Sequence, residues 1–364
     1  MNSETKIQNS KFKIQNSNEK NLTWLKIIAV TFTLLGAGLF AYFIYSVGLS
    51  EILEGIGKIG FGGFLLLQLI YFFRITARAA AWKLSVYEPY KLDLRDTVPA
   101  VIIGEALSSL IPLGILISGT SKAVAVKKRV PLVVGFSSVA TENLFYSLVT
   151  GLFVCLGAFA FLRNFELPQG WIWTIDTLVA IIFLLIFIGV LMVVRQWHWV
   201  SATCEYFYEK GFARRFLESG RLQVRLFENF IYGFYRQYPR RFAPIIFLQI
   251  FFHSLGILEV WFILSRISLV SVNIYSAFLL ESISRVITIV FKLIPFLVGV
   301  DEAGAQFVTE TLALGVGVGV TLAIIRKGRI LFWTAIGLIL IVKRELSFSE
   351  FTKTEYEIHE AKIE

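Results

Sequence analysis

The chain has 364 residues, a net charge of +9 and a sequence pI near 9.4. Its residues are 56% hydrophobic and only 17% charged, with a mean hydropathy of +0.70, whereas soluble domains average roughly 45–50% apolar and 25% charged residues. The apolar excess is concentrated in the runs 25–47, 61–82, 132–161, 171–194 and 242–264, each long enough for a ~30 Å hydrocarbon core, which excludes an ordinary soluble enzyme.

The surplus of bases lies beside those runs, so it points to a cytoplasmic membrane face and anionic lipid rather than to nucleic acid. Cys155 sits in an apolar run and Cys204 in a basic loop, so no structural disulfide is expected, and three histidines offer no metal cluster. No metal or other cofactor is expected.

Residues 1–23 are polar and partly duplicated, and read as a disordered cytoplasmic tail. The run 25–47 lacks a small-residue cleavage site and reads as a retained first helix. A loop to Gly60, with Glu51 and Glu54, is expected outside. The second helix, 61–82, returns to the inside, with Arg74 and Arg78 expected to snorkel to the cytoplasmic interface.

The apolar stretch 97–126 is followed directly by Lys127, Lys128 and Arg129. A single crossing there would put this cluster, and the Arg-rich stretch 195–241, on the outer side. A re-entrant hairpin broken at Pro112 and Gly114 avoids both violations. The run 132–161 then goes out and 171–194 returns. The stretch 195–241 is a cytoplasmic connector in which Phe212, Phe216, Phe230 and Phe234 recur at about helical spacing. That spacing fits an amphipathic helix on the membrane surface, or equally an ordinary helix packed on neighbouring loops.

The second half repeats this grammar. Leu110-Ile111-Pro112 reappears as Leu293-Ile294-Pro295, a displacement of 183 residues. A Gly-containing polar patch follows each, with Gly299 in the second, and then a long helix with a polar centre, Glu142-Asn143 in one and Arg326-Lys327 in the other. Pro295 also fits the plain end of a spanning helix. The expected fold is an all-α polytopic membrane protein of about six spanning helices plus two re-entrant helical hairpins in an inverted-repeat arrangement. That arrangement is characteristic of transporters whose substrate site lies where the breaks meet. Both termini, including the polar tail 345–364, are expected to be cytoplasmic.

An ionised side chain at the bilayer centre costs roughly 2.5–3.5 kcal/mol, so it faces a partner or a cavity. Glu105, Glu142, Glu259, Glu281, Arg285, Asp301, Glu302 and Arg326 fit that description. Glu281 and Arg285 are four apart and suited to a local ion pair. Arg285, Arg326 and Lys122 are the candidates for an anionic headgroup; Asp301 and Glu302 are the candidates for a proton or an amine. Gly315, Gly317 and Gly319 suit close helix packing rather than a nucleotide loop, and His253 suits a hydrogen-bonded core role.

The break before Gly299-Val300-Asp301-Glu302, with Arg326 in the last helix, resembles the flippase-like transmembrane domain of lysylphosphatidylglycerol synthases. The first half resembles it too: Arg74 and Arg78 before Trp82, then Pro112, Gly119, Lys122 and Glu142-Asn143. Asn143 stands where an Arg is common in that family, and Lys122 where Arg is frequent. The resemblance covers 24–344 and implies a non-enzymatic, lipid-translocating or lipid-binding region without the aminoacyl-transferase activity. It implies a flippase or lipid transporter for a phospholipid or polyprenyl-type lipid in the cytoplasmic membrane. The substrate contacts would be Lys122, Glu142, Asn143, Arg285, Asp301, Glu302 and Arg326. The alternative is an accessory subunit presenting lipid to a separate glycosyl- or aminoacyl-transferase. Expected partners are membrane lipids with anionic headgroups; self-association is left open.

Overall fold

The computed structural model describes residues 38, 41–42, 44–110, 114–163, 169–211, 224–225, 228–229, 232–291, 294, 297–315 and 317–344. Every regular element among them is helical. The helices are α1 (Leu49–Leu84), α2 (Leu94–Leu110), α3 (Gly114–Ala125), α4 (Leu132–Leu162), α5 (Gln169–Arg195), α6 (Trp199–Glu209), α7 (Pro239–Ile267), α8 (Ile274–Val290), α9 (Val300–Thr311) and α10 (Val318–Lys343). Both terminal tails, most of the first apolar run, Pro112, Pro295, Phe212, Phe216 and Phe230 lie outside the described residues.

By length and composition α1, α4 and α7 can each cross a membrane. Their faces are inverted relative to a soluble helix. On α1, Leu65, Leu69, Phe72 and Phe73 are exposed while Gln68 and Arg74 are buried; on α7, Phe247, Ile250, Phe251 and Leu258 are exposed while Gln249, His253 and Glu259 are buried. Such an arrangement is stable only where the surroundings are hydrocarbon. The chain is an all-helical polytopic membrane protein.

The element order repeats. A long helix, a 17-residue helix, a 12-residue helix and a second long helix occur as α1–α4 and again as α7–α10. Twelve residues of α-helix rise only about 18 Å, too short for α3 or α9 to span alone. Gly114 opens α3. Gly299 precedes α9 with φ of 82°, a left-handed conformation that favours glycine.

The expected loop before Gly60 is instead helical. α1 begins at Leu49 and continues across a kink at Gly60, whose φ/ψ of 63°/175° only glycine adopts readily. Glu51 and Glu54, expected in that outside loop, lie on a helix whose Ile52 and Ile59 are buried.

The chain forms two compact units, one of residues 1–68, 102–121 and 260–364, the other of 69–101 and 122–259. In the first, α9 packs against both α8 and α10. A Cβ at Gly319 would lie 2.4 Å from the Ala305 backbone, and one at Gly337 would lie 2.4 Å from the Ala106 Cβ, so α10 meets α9 and α2 at close backbone approach. In the second unit, Phe234 is buried among Tyr87, Phe145, Tyr238 and Phe242. It therefore packs inward on α4 and not onto a membrane surface. Burial pushes the Tyr87 hydroxyl, in the turn after α1, up to about 12.

Gly319→Leu is expected to destabilise the protein by about 3 kcal/mol or more, because the clash is with backbone. Gly151→Ala, where a Cβ meets nothing within 4 Å, should leave the detergent melting temperature unchanged or slightly raised.

Candidate functional site

The buried charges gather in two places, one in each unit. In the second unit, Arg74, Arg78 and Trp82 fall four apart on α1, which stacks them on one helical face. Arg74 Nη1 donates to Glu259 Oε2 of α7 at 2.8 Å. Arg78 Nε donates to Glu142 Oε1 of α4 at 3.1 Å, and Trp82 Nε1 donates to Ser138 Oγ at 2.9 Å. Glu142 and Ser138 are also four apart, in the opposite sense, so α1 and α4 run antiparallel along this ladder.

Glu142 is the hub of this cluster. Gln249 Nε2 of α7 donates to its Oε1 at 3.2 Å, and Lys122 Nζ of α3 lies 3.6 Å from its Oε2. Arg78 Nη2 donates to Asn143 Oδ1 at 3.1 Å, and its guanidinium lies 4.3 Å above the Tyr146 ring. Glu142, Lys122 and Gln249 are buried; Arg78, Asn143 and Tyr146 form a half-buried rim. Arg74, 1% exposed, sits 4.5 Å over the Phe252 ring. Neither arginine snorkels, because each has a buried carboxylate within reach at helix depth, which offsets desolvation better than an interface would.

His253 takes the expected core role: its Nε2 lies 3.0 Å from Thr150 Oγ1, and its ring stacks on Phe153.

In the first unit, Glu281 of α8 is the counterpart hub. It is fully buried, and two guanidinium groups converge on it. Arg285 Nε donates to its Oε1 at 3.0 Å. Arg326 Nη2 of α10 donates to its Oε2 at 3.0 Å, and Arg326 Nη1 to Ser284 Oγ at 3.3 Å. The local Glu281–Arg285 pair is thus present, with Arg326 added from α10.

One residue further on α10, Lys327 Nζ lies 2.5 Å from Glu302 Oε1 and 4.0 Å from Asp301 Oδ2. Glu302 also caps the start of α9, because its Oε2 accepts the Gly299 N–H at 2.8 Å.

The structure brings Lys122, Glu142 and Asn143 together in one cluster, and Arg285, Arg326, Asp301 and Glu302 along the α8–α9–α10 interface. Lys327, Arg78 and Gln249 join them as participants that the site expectation omitted. Gln249 had no signal beyond being polar in an apolar run; Lys327 had its place beside Arg326.

Together these features define a membrane protein whose short and long helices carry paired, buried ionised groups. The chain belongs to the family described as the lysylphosphatidylglycerol synthase TM region, whose model matches residues 24–337. That region is the membrane part of those synthases and not their catalytic domain, and it ties the chain to a membrane-lipid function. No curated protein and no solved structure matches the chain.

Removing one partner of the Arg74–Glu259 pair should strand the other. Glu259→Leu alone is expected to cost about 3–5 kcal/mol, while Arg74→Met combined with Glu259→Leu recovers most of that loss. Detergent melting curves across the double-mutant cycle check this. A double variant as unstable as the worse single would show that the pair is not coupled.

Proposed function

We propose that this protein is a lipid flippase or lipid-binding transporter of the cytoplasmic membrane, with both termini cytoplasmic. The observation that carries the reading is the convergence of Arg285 and Arg326 on the single carboxylate of Glu281. Both guanidinium groups donate to one carboxylate, and a phosphate offers acceptor oxygens of the same kind to the same donors. Guanidinium planes suit the bidentate geometry of a phosphodiester. Each arginine is slightly exposed while Glu281 is not: 15% for the Arg285 side chain, 10% for Arg326 and 0% for Glu281. An incoming anion therefore meets the cations first.

The broken segments supply the second support. α3 and α9 are too short to cross alone, so we read α2–α3 and α8–α9 as hairpins dipping into the bilayer from opposite sides, the inverted repeat of a transporter. The acidic pair Asp301–Glu302, at the start of α9 and paired with Lys327, is the place for a coupling proton or an amine.

The test is leaflet accessibility of a labelled anionic phospholipid in liposomes containing the purified protein. Arg326→Ala is expected to slow its translocation by about tenfold or more, the loss that goes with a charge-assisted hydrogen bond. Glu302→Gln keeps an oxygen for the Gly299 N–H and removes only the charge, so it separates coupling from the helix cap. Full activity in both variants, with folded protein confirmed by melting, would overturn the assignment. Lipid binding without translocation by the wild-type protein would instead favour a subunit that presents lipid to a separate transferase.

A further inference from the structure

α5 ends on a stop written into its backbone. Gln196 takes a left-handed φ of 56°, and the Trp197 N–H donates back to the Met192 carbonyl at 3.0 Å, the αL residue and six-to-one bond of a Schellman motif. α6 therefore starts afresh at Trp199 instead of prolonging α5. Its 11 residues rise about 16 Å, too short to cross a ~30 Å hydrocarbon core.

One face of α6 is pinned to the rest of the connector. Its N-cap residue, His198, makes no side-chain cap, and Glu228 takes that role. The Ser201 N–H donates to Glu228 Oε1 at 3.2 Å, Ser201 Oγ donates to Oε2 at 2.6 Å, and His198 Nδ1 lies 3.1 Å from Oε2. Tyr232 Oη donates to the Trp197 carbonyl at 2.6 Å. Glu209 lines a cavity on this side together with Ser201 and Arg225.

The other face is apolar and turned outward. Trp199 is 55% exposed, Val200 49%, Tyr206 51% and Phe207 43%. Trp199 and Tyr206 are a heptad apart, as are Val200 and Phe207, and a heptad returns to within about 20° on a helix. The four side chains therefore form one stripe. Trp197 stacks on Trp199 with ring centroids 4.6 Å apart, which joins the stripe to the end of α5. There Val194 is exposed, as are Ile181, Leu184 and Phe187 earlier in the helix, so the stripe continues the apolar surface of a membrane-embedded segment. Tryptophan and tyrosine, apolar bodies with a polar tip, collect at the headgroup level. Arg195 is exposed just before α6, and Lys210 just after it, with Nζ 4.6 Å over the Tyr206 ring. Cations flanking an apolar face suit an anionic lipid surface.

We propose that α6 lies in the headgroup layer of the leaflet at the Arg195 end of α5, with Trp199, Val200, Tyr206 and Phe207 inserted into lipid. The partner of this face is the bilayer surface. Phe234 of the same connector turns inward, and α6 supplies the membrane seat. The inference does not depend on which lipid the protein handles or on whether it moves one.

The test is spin-label accessibility in the full-length protein, reconstituted in vesicles of phosphatidylcholine and phosphatidylglycerol. Single labels are placed by Val200→Cys, Phe207→Cys and Glu209→Cys in a Cys155→Ala, Cys204→Ala background, with folding checked by melting. Oxygen partitions into lipid and a nickel chelate stays in water. The ratio of oxygen to nickel collisions is expected to be several-fold higher at positions 200 and 207 than at 209. Adding Trp199→Gln and Tyr206→Gln to the Val200→Cys protein should raise nickel collisions at its label without lowering the detergent melting temperature. Nickel access at 200 and 207 equal to that at 209 would overturn the proposal. So would shielding of both positions from oxygen and nickel alike, the result expected if protein covers the stripe.

Discussion

Ionised side chains placed in hydrocarbon must bring their counter-charges with them, and this constraint organises the molecule. Each buried carboxylate at membrane depth for which partners are described is met by a cation from another helix: Glu259 by Arg74, Glu142 by Arg78 and Lys122, Glu281 by Arg326, Glu302 by Lys327. These pairs do what an apolar core does for a soluble domain. Leucine gains nothing by leaving lipid tails for a protein interior, so the apolar faces of α1 and α7 carry little information about which helix they meet. A buried arginine meets that need only where a carboxylate stands opposite, so the pairs specify partners and register together. The small residues at Gly319 and Gly337 then permit the approach that the charges demand.

The repeated element order adds a second regularity. In the first repeat, the short helix α3 contributes Lys122 and the long helix α4 contributes Glu142. In the second, the short helix α9 contributes Glu302 and the long helix α10 contributes Lys327. The residues on the short helices are 180 apart and those on the long helices 185 apart, so the ion pair recurs with its signs exchanged. Helix ends give a physical reason for the exchange. Lys122 lies in the last turn of α3, where the partial negative charge of the helix terminus favours a cation. Glu302 lies in the first turn of α9, where it also receives the Gly299 N–H, and that end favours an anion. The sign on the short helix follows from which of its ends meets the long helix, and the long helix carries the complement.

Most of the architecture was legible because hydropathy and charge act over whole segments. The runs 132–161, 171–194 and 242–264 differ from α4, α5 and α7 by only a few residues at either end. The stretch 97–126 holds two helices, α2 and α3. Misreadings arose where one residue type serves two purposes. The charges of Glu51 and Glu54 suited an outside loop, but two acids do not prevent a helix when Ile52 and Ile59 recur on one buried face. Arg74 and Arg78, near a helix end, suited an interface, and only the folded chain reveals Glu259, 185 residues away, and Glu142 beside them. Gln249 was invisible because its role comes entirely from the carboxylate it touches. Pairing across long sequence separations is a three-dimensional property, and composition along the chain does not encode it locally.

The same kind of ion pair that organises each unit internally is also proposed to meet a lipid, and the two roles are compatible for an electrostatic reason. Opening the Arg285–Glu281–Arg326 triad to solvent-poor surroundings would strand buried charges, whereas replacing the carboxylate with a phosphate exchanges one anion for another under the same two guanidinium groups. The cost then lies in the carboxylate released, which must be neutralised by a proton or by another cation. A site of this kind rejects neutral intruders, because they cannot discharge the arginines. It would also link ligand entry to the protonation or movement of Glu281, since a headgroup anion and an ionised Glu281 would compete for the same donors. In the proposed site, structural ion pairing and anion exchange would be one arrangement, with the occupant between the two arginines changed.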